Sequence, residues 1–211
     1  MDIKNTNNLV DLFFNKLEEV NNSNNFLQWL KKDNNHVYNW REVSEKIFKL
    51  SNKIKLLINK GDRCLLLSEN RPDWLIADIA IMNAGGISVP IFTTYADSDY
   101  KYIINDCKPT IIIVSNQTQL NKIKNYINSD IKLIISFEKI DYKSVLAEEI
   151  YSETLIKKIK NCNLNRKSPA CIIYTSGTSG NPKGVVLSHG GILSNCEGAL
   201  EVLKPLINKE E

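Results

Sequence analysis

The sequence contains no run of about 18 apolar residues, the length a membrane-spanning helix needs. Its opening, Met1-Asp2-Ile3-Lys4-Asn5-Thr6-Asn7-Asn8, holds no apolar signal core, so neither secretion nor membrane spanning is expected. No Cys-x-x-Cys pair occurs. Cys64, Cys107, Cys162, Cys171 and Cys196 are odd in number and widely spaced, which points to reduced thiols in a cytoplasmic protein rather than a disulfide framework or zinc site. An excess of one charge is nearly absent as well: 27 Lys+Arg against 24 Asp+Glu leave a net charge of +3. Without a basic stripe interleaved with aromatics, nucleic acid is not expected as a partner. Internal repeats are missing, and so are metal-ligand clusters, paired carboxylates and a Ser-His-Asp order. No catalytic residue and no metal ligand is therefore assigned within the chain.

What is present is ordinary for a globular protein, with 43% hydrophobic and 24% charged residues. At 211 residues the chain suits one domain, or one and a part.

Apolar positions at Leu9, Leu12, Phe13, Leu17 and Val20 predict an amphipathic helix that stops at the polar run Asn21 to Asn25. Short strands are expected at Phe26 to Leu30 and His36 to Tyr38 around a polar turn; His36, beside that turn, carries no functional case. Asn39, with Glu42 three residues on, makes a capping box for a long helix. Its face is Val43, Ile47, Leu50, Ile54 and Leu57, and it is expected to run until Gly61. Continuously apolar strands at Cys64 to Leu67, Ile87 to Phe92, Thr110 to Val114 and Ile131 to Ser136 then alternate with helices at about 71–84, 97–106 and 117–128. That alternation predicts an α/β fold: a mainly parallel sheet with helices on both faces, binding ligands at the carboxyl ends of its strands. Asn70 is expected to cap the helix at 71–84, with Pro72 in its first turn and Gly85 at its end, and Trp74 is assigned to packing. The charged segment Asp141 to Asn165, with apolar Val145, Leu146, Leu155, Ile156 and Ile159, reads as a peripheral helical excursion.

One motif is dense. Gly177, Gly180, Gly184, Gly190 and Gly191 all fall in Tyr174-Thr175-Ser176-Gly177-Thr178-Ser179-Gly180-Asn181-Pro182-Lys183-Gly184-Val185-Val186-Leu187-Ser188-His189-Gly190-Gly191. Glycines let successive N–H groups converge, the hydroxyls of Thr175, Ser176, Thr178 and Ser179 add donors, and Lys183 adds a mobile positive charge. A polyphosphate needs that set. Pro182 stands where a Walker A loop has its second glycine, no Gly-Lys-Ser/Thr follows, and Gly-x-Gly-x-x-Gly is absent. Ala170 to Tyr174 and Val185 to Leu187 read as strands, so the loop opens no helix, and hydroxyls with Lys183 replace a helix dipole. The same composition would also suit a flexible surface hairpin; the length and order of the motif favour the phosphate site. For His189 the choice lies between a general base and a packed residue at the end of the second strand or the start of the next helix. That helix would pack Ile192, Leu193, Cys196, Ala199 and Leu200, and packing is preferred.

The stretch from Tyr174 to His189 closely resembles the signature phosphate loop of adenylate-forming enzymes: acyl-CoA synthetases, peptide-synthetase adenylation domains and luciferases. Ser179 stands where Thr is commoner. Gly61-Asp62-Arg63-Cys64, Ser68-Glu69-Asn70-Arg71-Pro72-Asp73-Trp74 and Asn83-Ala84-Gly85-Gly86-Ile87-Ser88-Val89-Pro90-Ile91 resemble segments of the long-chain fatty acyl-CoA ligase branch. The resemblance runs from about Tyr38 to the end. It implies that residues 1–211 are the N-terminal portion of an AMP-binding domain. The later part of that domain and a small C-terminal domain would be absent, and the sheet would be left with an unpaired apolar edge.

The implied activity is ATP-dependent conversion of a fatty acid to acyl-adenylate and then acyl-CoA, with the 211-residue chain inactive alone. ATP, Mg²⁺ and coenzyme A are the implied cofactors and co-substrates, and Thr175, Ser176, Gly177, Thr178, Ser179, Gly180 and Lys183 the implied nucleotide-binding residues. Small molecules are the implied partners; peripheral membrane contact and oligomeric state stay open. Two other readings remain: activation of an amino or aryl acid, and a non-catalytic remnant that binds nucleotide or a partner.

Overall fold

The computed structural model describes residues 3–30, 35–154, 158, 163–176 and 180–207. Helix α1 (Leu9–Glu19) begins where the Asn8 side chain accepts the Asp11 N–H at 2.8 Å, and it buries Val10, Phe13 and Phe14. Strands β1 (Asn25–Trp29) and β2 (His36–Asn39) pair antiparallel in a separate ribbon, and His36 opens β2 where a strand from His36 to Tyr38 is expected. Helix α2 (Trp40–Lys55) opens on the expected capping box: the Glu42 N–H donates to Asn39 Oδ1 at 2.9 Å and the Asn39 N–H to Glu42 Oε2 at 2.8 Å. It ends short of Gly61, because Leu56 is exposed and adds nothing to the buried stripe.

The rest builds one sheet. In chain order come β3 (Arg63–Leu67), α3 (Pro72–Ala84), β4 (Ile87–Ile91), α4 (Asp97–Cys107) and β5 (Ile111–Val114). Then follow α5 (Gln117–Ile123) with one 3-10 turn (Lys124–Tyr126), β6 (Leu133–Ser136), β7 (Val145–Leu146) and α6 (Ala147–Ser152). Strands β8 (Pro169–Thr175) and β9 (Lys183–Ser188) and helix α7 (His189–Ile207) complete the chain. The strand order is β7-β6-β5-β3-β4-β8-β9, parallel throughout except for the antiparallel β8–β9 hairpin. Alternate residues of the strands feed two cores. Cys64, Leu66, Ile111, Ile113 and Ile135 pack with α1, α2, α3 and α6, whereas Leu65, Leu67, Ile112, Val114 and Ile134 pack with α4 and α5. Burial of both faces explains why these strands read as unbroken apolar runs.

Two expectations fail for identifiable reasons. The residue before α3 is Arg71 rather than Asn70, and no side chain caps the helix. Arg71 is instead drawn inward by Asp73 and Glu138, while Pro72 at the first helical position removes one of the amides a cap would serve. The segment after Asp141 is not peripheral: β7 joins the sheet beside β6, and α6 buries Ala147, Ile150 and Tyr151. Those residues at i, i+3 and i+4 form a stripe that the adjacent Glu148 and Glu149 obscure in the sequence. Leu155, Ile156, Ile159 and Cys162 lie outside the described residues.

The cysteines that are described form no disulfide. Burial pushes the Cys64 and Cys107 thiols up to about 12 and Cys171 to about 11, so all three stay protonated at neutral pH. At the sheet's far edge no described residue pairs with the outer side of β9, where Val185 is 45% and Val186 57% exposed. The expected apolar edge is there.

Candidate functional site at the carboxyl ends of the strands

Residue parity along β4 decides where the sheet opens. The Ile87 N–H donates to the Asp62 carbonyl at 2.8 Å, so the odd residues of β4 turn their backbone to β3 and the even ones, Ser88 and Pro90, to β8. Ser88 pairs with Cys171. Pro90 has no N–H to give, and the β4–β8 ladder stops. Beside that point lies an open cavity of about 490 Å³. Trp74, Ile91, Phe92 and Ile173 line it with apolar surface, and Glu69, Asn70, Thr93 and Thr94 contribute polar groups.

Glu69 is locked in place at the end of β3. Its carboxylate accepts Ser115 Oγ and Gln119 Nε2, both at 2.5 Å. Burial alone would raise its pKa, yet the bonds from Ser115, its own backbone, Gln119 and Asn116 hold it below the ordinary value. This network ties β3 to β5 where the strand order reverses, the place at which open α/β sheets form ligand crevices.

The glycine-rich hairpin stands at the same end of the sheet. Thr175 closes β8, Ser176 follows it, and Lys183 opens β9 directly opposite Thr175 in the register. All three are exposed. Gly180 adopts φ +91° with open space around it, a left-handed turn that favours glycine. Gly177, Thr178 and Ser179 lie outside the described residues. Two other glycines of the motif are there for packing: a Cβ on Gly184 would meet the Tyr174 ring at 3.0 Å, and one on Gly190 the Arg166 carbonyl at 2.7 Å. Sequence reading groups all five glycines with the loop; the structure gives Gly180 to the loop and Gly184 and Gly190 to packing.

His189 is the first residue of α7, 1% exposed, and its Nδ1 accepts the Leu9 N–H at 3.2 Å. Burial lowers its pKa to about 4. It ties α1 to α7 as a neutral ring, in line with the packing assignment. Asp78 on α3, beside Ser88 and Cys171, moves the other way, to about 6, again through burial. The two groups give opposite pH slopes. Between about pH 4 and 6.5 unfolded His189 binds a proton that the folded ring refuses, so its contribution to stability falls as pH drops. Between about pH 3.8 and 6 folded Asp78 holds a proton that the unfolded chain releases, so its contribution falls as pH rises. Urea midpoints measured at about pH 4.5 and 6 should therefore tilt toward acid stability in His189→Asn and toward neutral stability in Asp78→Asn. A tilt of the same sign in both variants would refute the pairing.

Sequence reading located the hairpin but not the cavity, whose walls come from segments about a hundred residues apart. The available signal was Pro90, a proline inside an interior strand. Among the described residues no three His, Cys, Asp or Glu side chains are grouped to hold a metal ion, and no helix is long and apolar enough to cross a membrane.

Known proteins share this fold. A long-chain-fatty-acid–CoA ligase, ACSBG2 of Xenopus laevis, is 34% identical over 181 residues, 78% of this chain and 23% of the relative. Fatty acyl-CoA synthetase A of Dictyostelium discoideum is 27% identical over 178 residues, 77% of this chain and 26% of the relative. The crystal structure of the anthranilate CoA ligase AuaEII with anthranoyl-AMP superposes with a TM-score of 0.73 at 22% identity, covering 90% of this chain and 37% of that one. The chain thus spans about a quarter of the length of these curated relatives. The model of the AMP-binding enzyme family matches residues 19–207, from the end of α1 through the parallel sheet and the hairpin to the end of α7. By that span the chain belongs to the AMP-binding enzyme family.

Proposed function

We propose that this chain is the N-terminal, phosphate-handling portion of an acyl-CoA ligase that activates a fatty acid with ATP in the cytoplasm. The observation that carries the reading is the pairing of Thr175 with Lys183 at the same end of the sheet as a largely apolar cavity. The long-chain ligases among the relatives support a fatty acid as the substrate.

In this reaction a carboxylate oxygen attacks the α-phosphorus of ATP, the bond to the β-phosphate oxygen breaks, and pyrophosphate leaves. The thiol of coenzyme A then attacks the acyl carbon and releases AMP. Negative charge grows on the β- and γ-phosphates as the first bond breaks, and preorganised donors aimed at that charge contribute about 3–4 kcal/mol each in favourable cases. The hydroxyls of Thr175, Ser176, Thr178 and Ser179 and the amides of Gly177 and Gly180 orient the leaving group, and Lys183 neutralises it. Mg²⁺ would arrive with the nucleotide phosphates.

The test is acid-dependent exchange of pyrophosphate into ATP by the complete enzyme. Lys183→Ala and Thr178→Ala are each expected to slow exchange about 10²-fold, the scale of losing one such donor. Wild-type rates in both variants would end the proposal. Running the same assay with aryl and amino acids separates a fatty-acid ligase from the other acid activators.

A further inference from the structure

Tyr174 lies one residue before the end of β8, beyond the β4–β8 pairing at Ser88 and Cys171. Its parity with Cys171 turned outward to β9 and Ile172 to β4 directs the Tyr174 carbonyl toward β4. There β4 has already ended at Ile91, so the carbonyl has no ladder partner. Tyr95, in the connection between β4 and α4, takes that place: its Oη donates to the Tyr174 carbonyl at 2.7 Å.

The arm that carries Tyr95 is itself fixed. Tyr100 Oη on α4 donates to the Phe92 carbonyl at 3.0 Å, and Lys122 Nζ on α5 to the Thr93 carbonyl at 2.5 Å. The Tyr95 ring stands edge-on to Phe92 and Tyr100, with centroids 5.4 and 6.2 Å away. Phe92, Thr93 and Thr94 border the cavity. One short segment therefore forms part of the cavity wall and holds the root of the hairpin.

We propose that Tyr95 is a positioning residue, whose hydroxyl replaces the missing ladder bond and sets where Thr175 and Ser176 stand relative to the cavity. The inference rests on reading the hairpin loop as a polyphosphate site. One hydrogen bond from a half-buried ring adds little to folding, whereas displacement of a donor loop by about 1 Å can cost a large factor in rate. Removing the hydroxyl should therefore affect ATP handling far more than stability.

Tyr95→Phe in the complete enzyme keeps the ring and deletes the bond. Tyr126→Phe is the control, losing a hydroxyl that bonds Asp97 rather than the hairpin. Relative to that control, KM for ATP in pyrophosphate exchange should rise about five- to tenfold, with KM for the acid within about twofold and Tm within about 2 °C. An ATP KM equal to the control's, or a fall in Tm that carries both KM values with it, overturns the proposal. Should the wild-type enzyme exchange no pyrophosphate with any acid, the ligase reading fails separately, and calorimetric titration with ATP decides for Tyr95. Binding weakened about five- to tenfold in Tyr95→Phe supports it, and equal binding overturns it. A wild-type enzyme that binds no ATP overturns both.

Discussion

Arg71→Ala is expected to lower the unfolding free energy by about 3–5 kcal/mol, the range found when one partner of a buried ion pair is removed. The Arg71 side chain is 9% exposed, and its Nε meets Asp73 Oδ2 at 2.9 Å while Nη1 meets Glu138 Oε1 at 2.7 Å. Its guanidinium also lies 4.4 Å from the Trp29 ring centroid and 5.3 Å from that of Phe137. The Glu138 carboxylate is half in solvent and can rehydrate; Asp73, with 11% of its side chain exposed, cannot. Truncating Arg71 thus leaves a buried carboxylate facing apolar rings. Lys would not restore the site, because an ammonium lacks the planar fork that stacks on Trp29 and bonds two carboxylates together. Urea denaturation measures the effect, and Arg71→Ala/Asp73→Ala should regain part of the loss. A single-variant loss below about 1 kcal/mol would show that the pair is screened and that its burial is of little account.

The second large effect belongs to Tyr174→Ala, at about 3–5 kcal/mol, the usual cost of emptying a large aromatic site in a core. Tyr174 is 2% exposed among Leu67, Val89, Ile91 and Ile103, and its hydroxyl donates to Asp106 on α4. Its ring also fills the space above Gly184, its cross-strand partner. That contact makes the two positions non-additive. Gly184→Ala alone forces a methyl group to within 3.0 Å of the ring, an overpacking that costs about 1–3 kcal/mol. In the Tyr174→Ala background the ring is gone and only Ile172 Cγ2, 3.0 Å away, still meets the methyl, so the same substitution should cost distinctly less. Thermal or urea unfolding of the four proteins in this cycle gives the coupling directly, and simple additivity would contradict the packing described for the pair.

Local chemistry made much of this fold legible. The Asn39–Glu42 capping box, Pro72 in the first turn of α3, and the unbroken apolar strands expected at Cys64 to Leu67 and Thr110 to Val114 each act within a few residues, and the structure keeps all of them. Failures arose where a distant partner outbid a local preference. Asn70 has the chemistry of a cap, but the helix start is set by Pro72 and by the pull of Asp73 and Glu138 on Arg71. The segment at 141–152 looked peripheral because its charges are continuous in sequence, while the space into which Ile150 and Tyr151 fit is made by α2. In the glycine-rich motif, composition grouped glycines that serve different ends: Gly180 turns the loop, and Gly184 and Gly190 admit neighbours from β8 and from Arg166. The bond between Tyr95 and Tyr174 had no sequence signal, since its partners are 79 residues apart and neither residue type announces a contact.

The two borders of the sheet are unequal. At one, β7 is two residues long and presents almost no backbone for another strand to join; at the other, β9 offers six residues with nothing described beside them. The sheet consequently has a direction of growth. A strand added alongside Lys183–Ser188 would stand next to the glycine-rich hairpin, so that extending the scaffold there would also build beside Thr175 and Lys183.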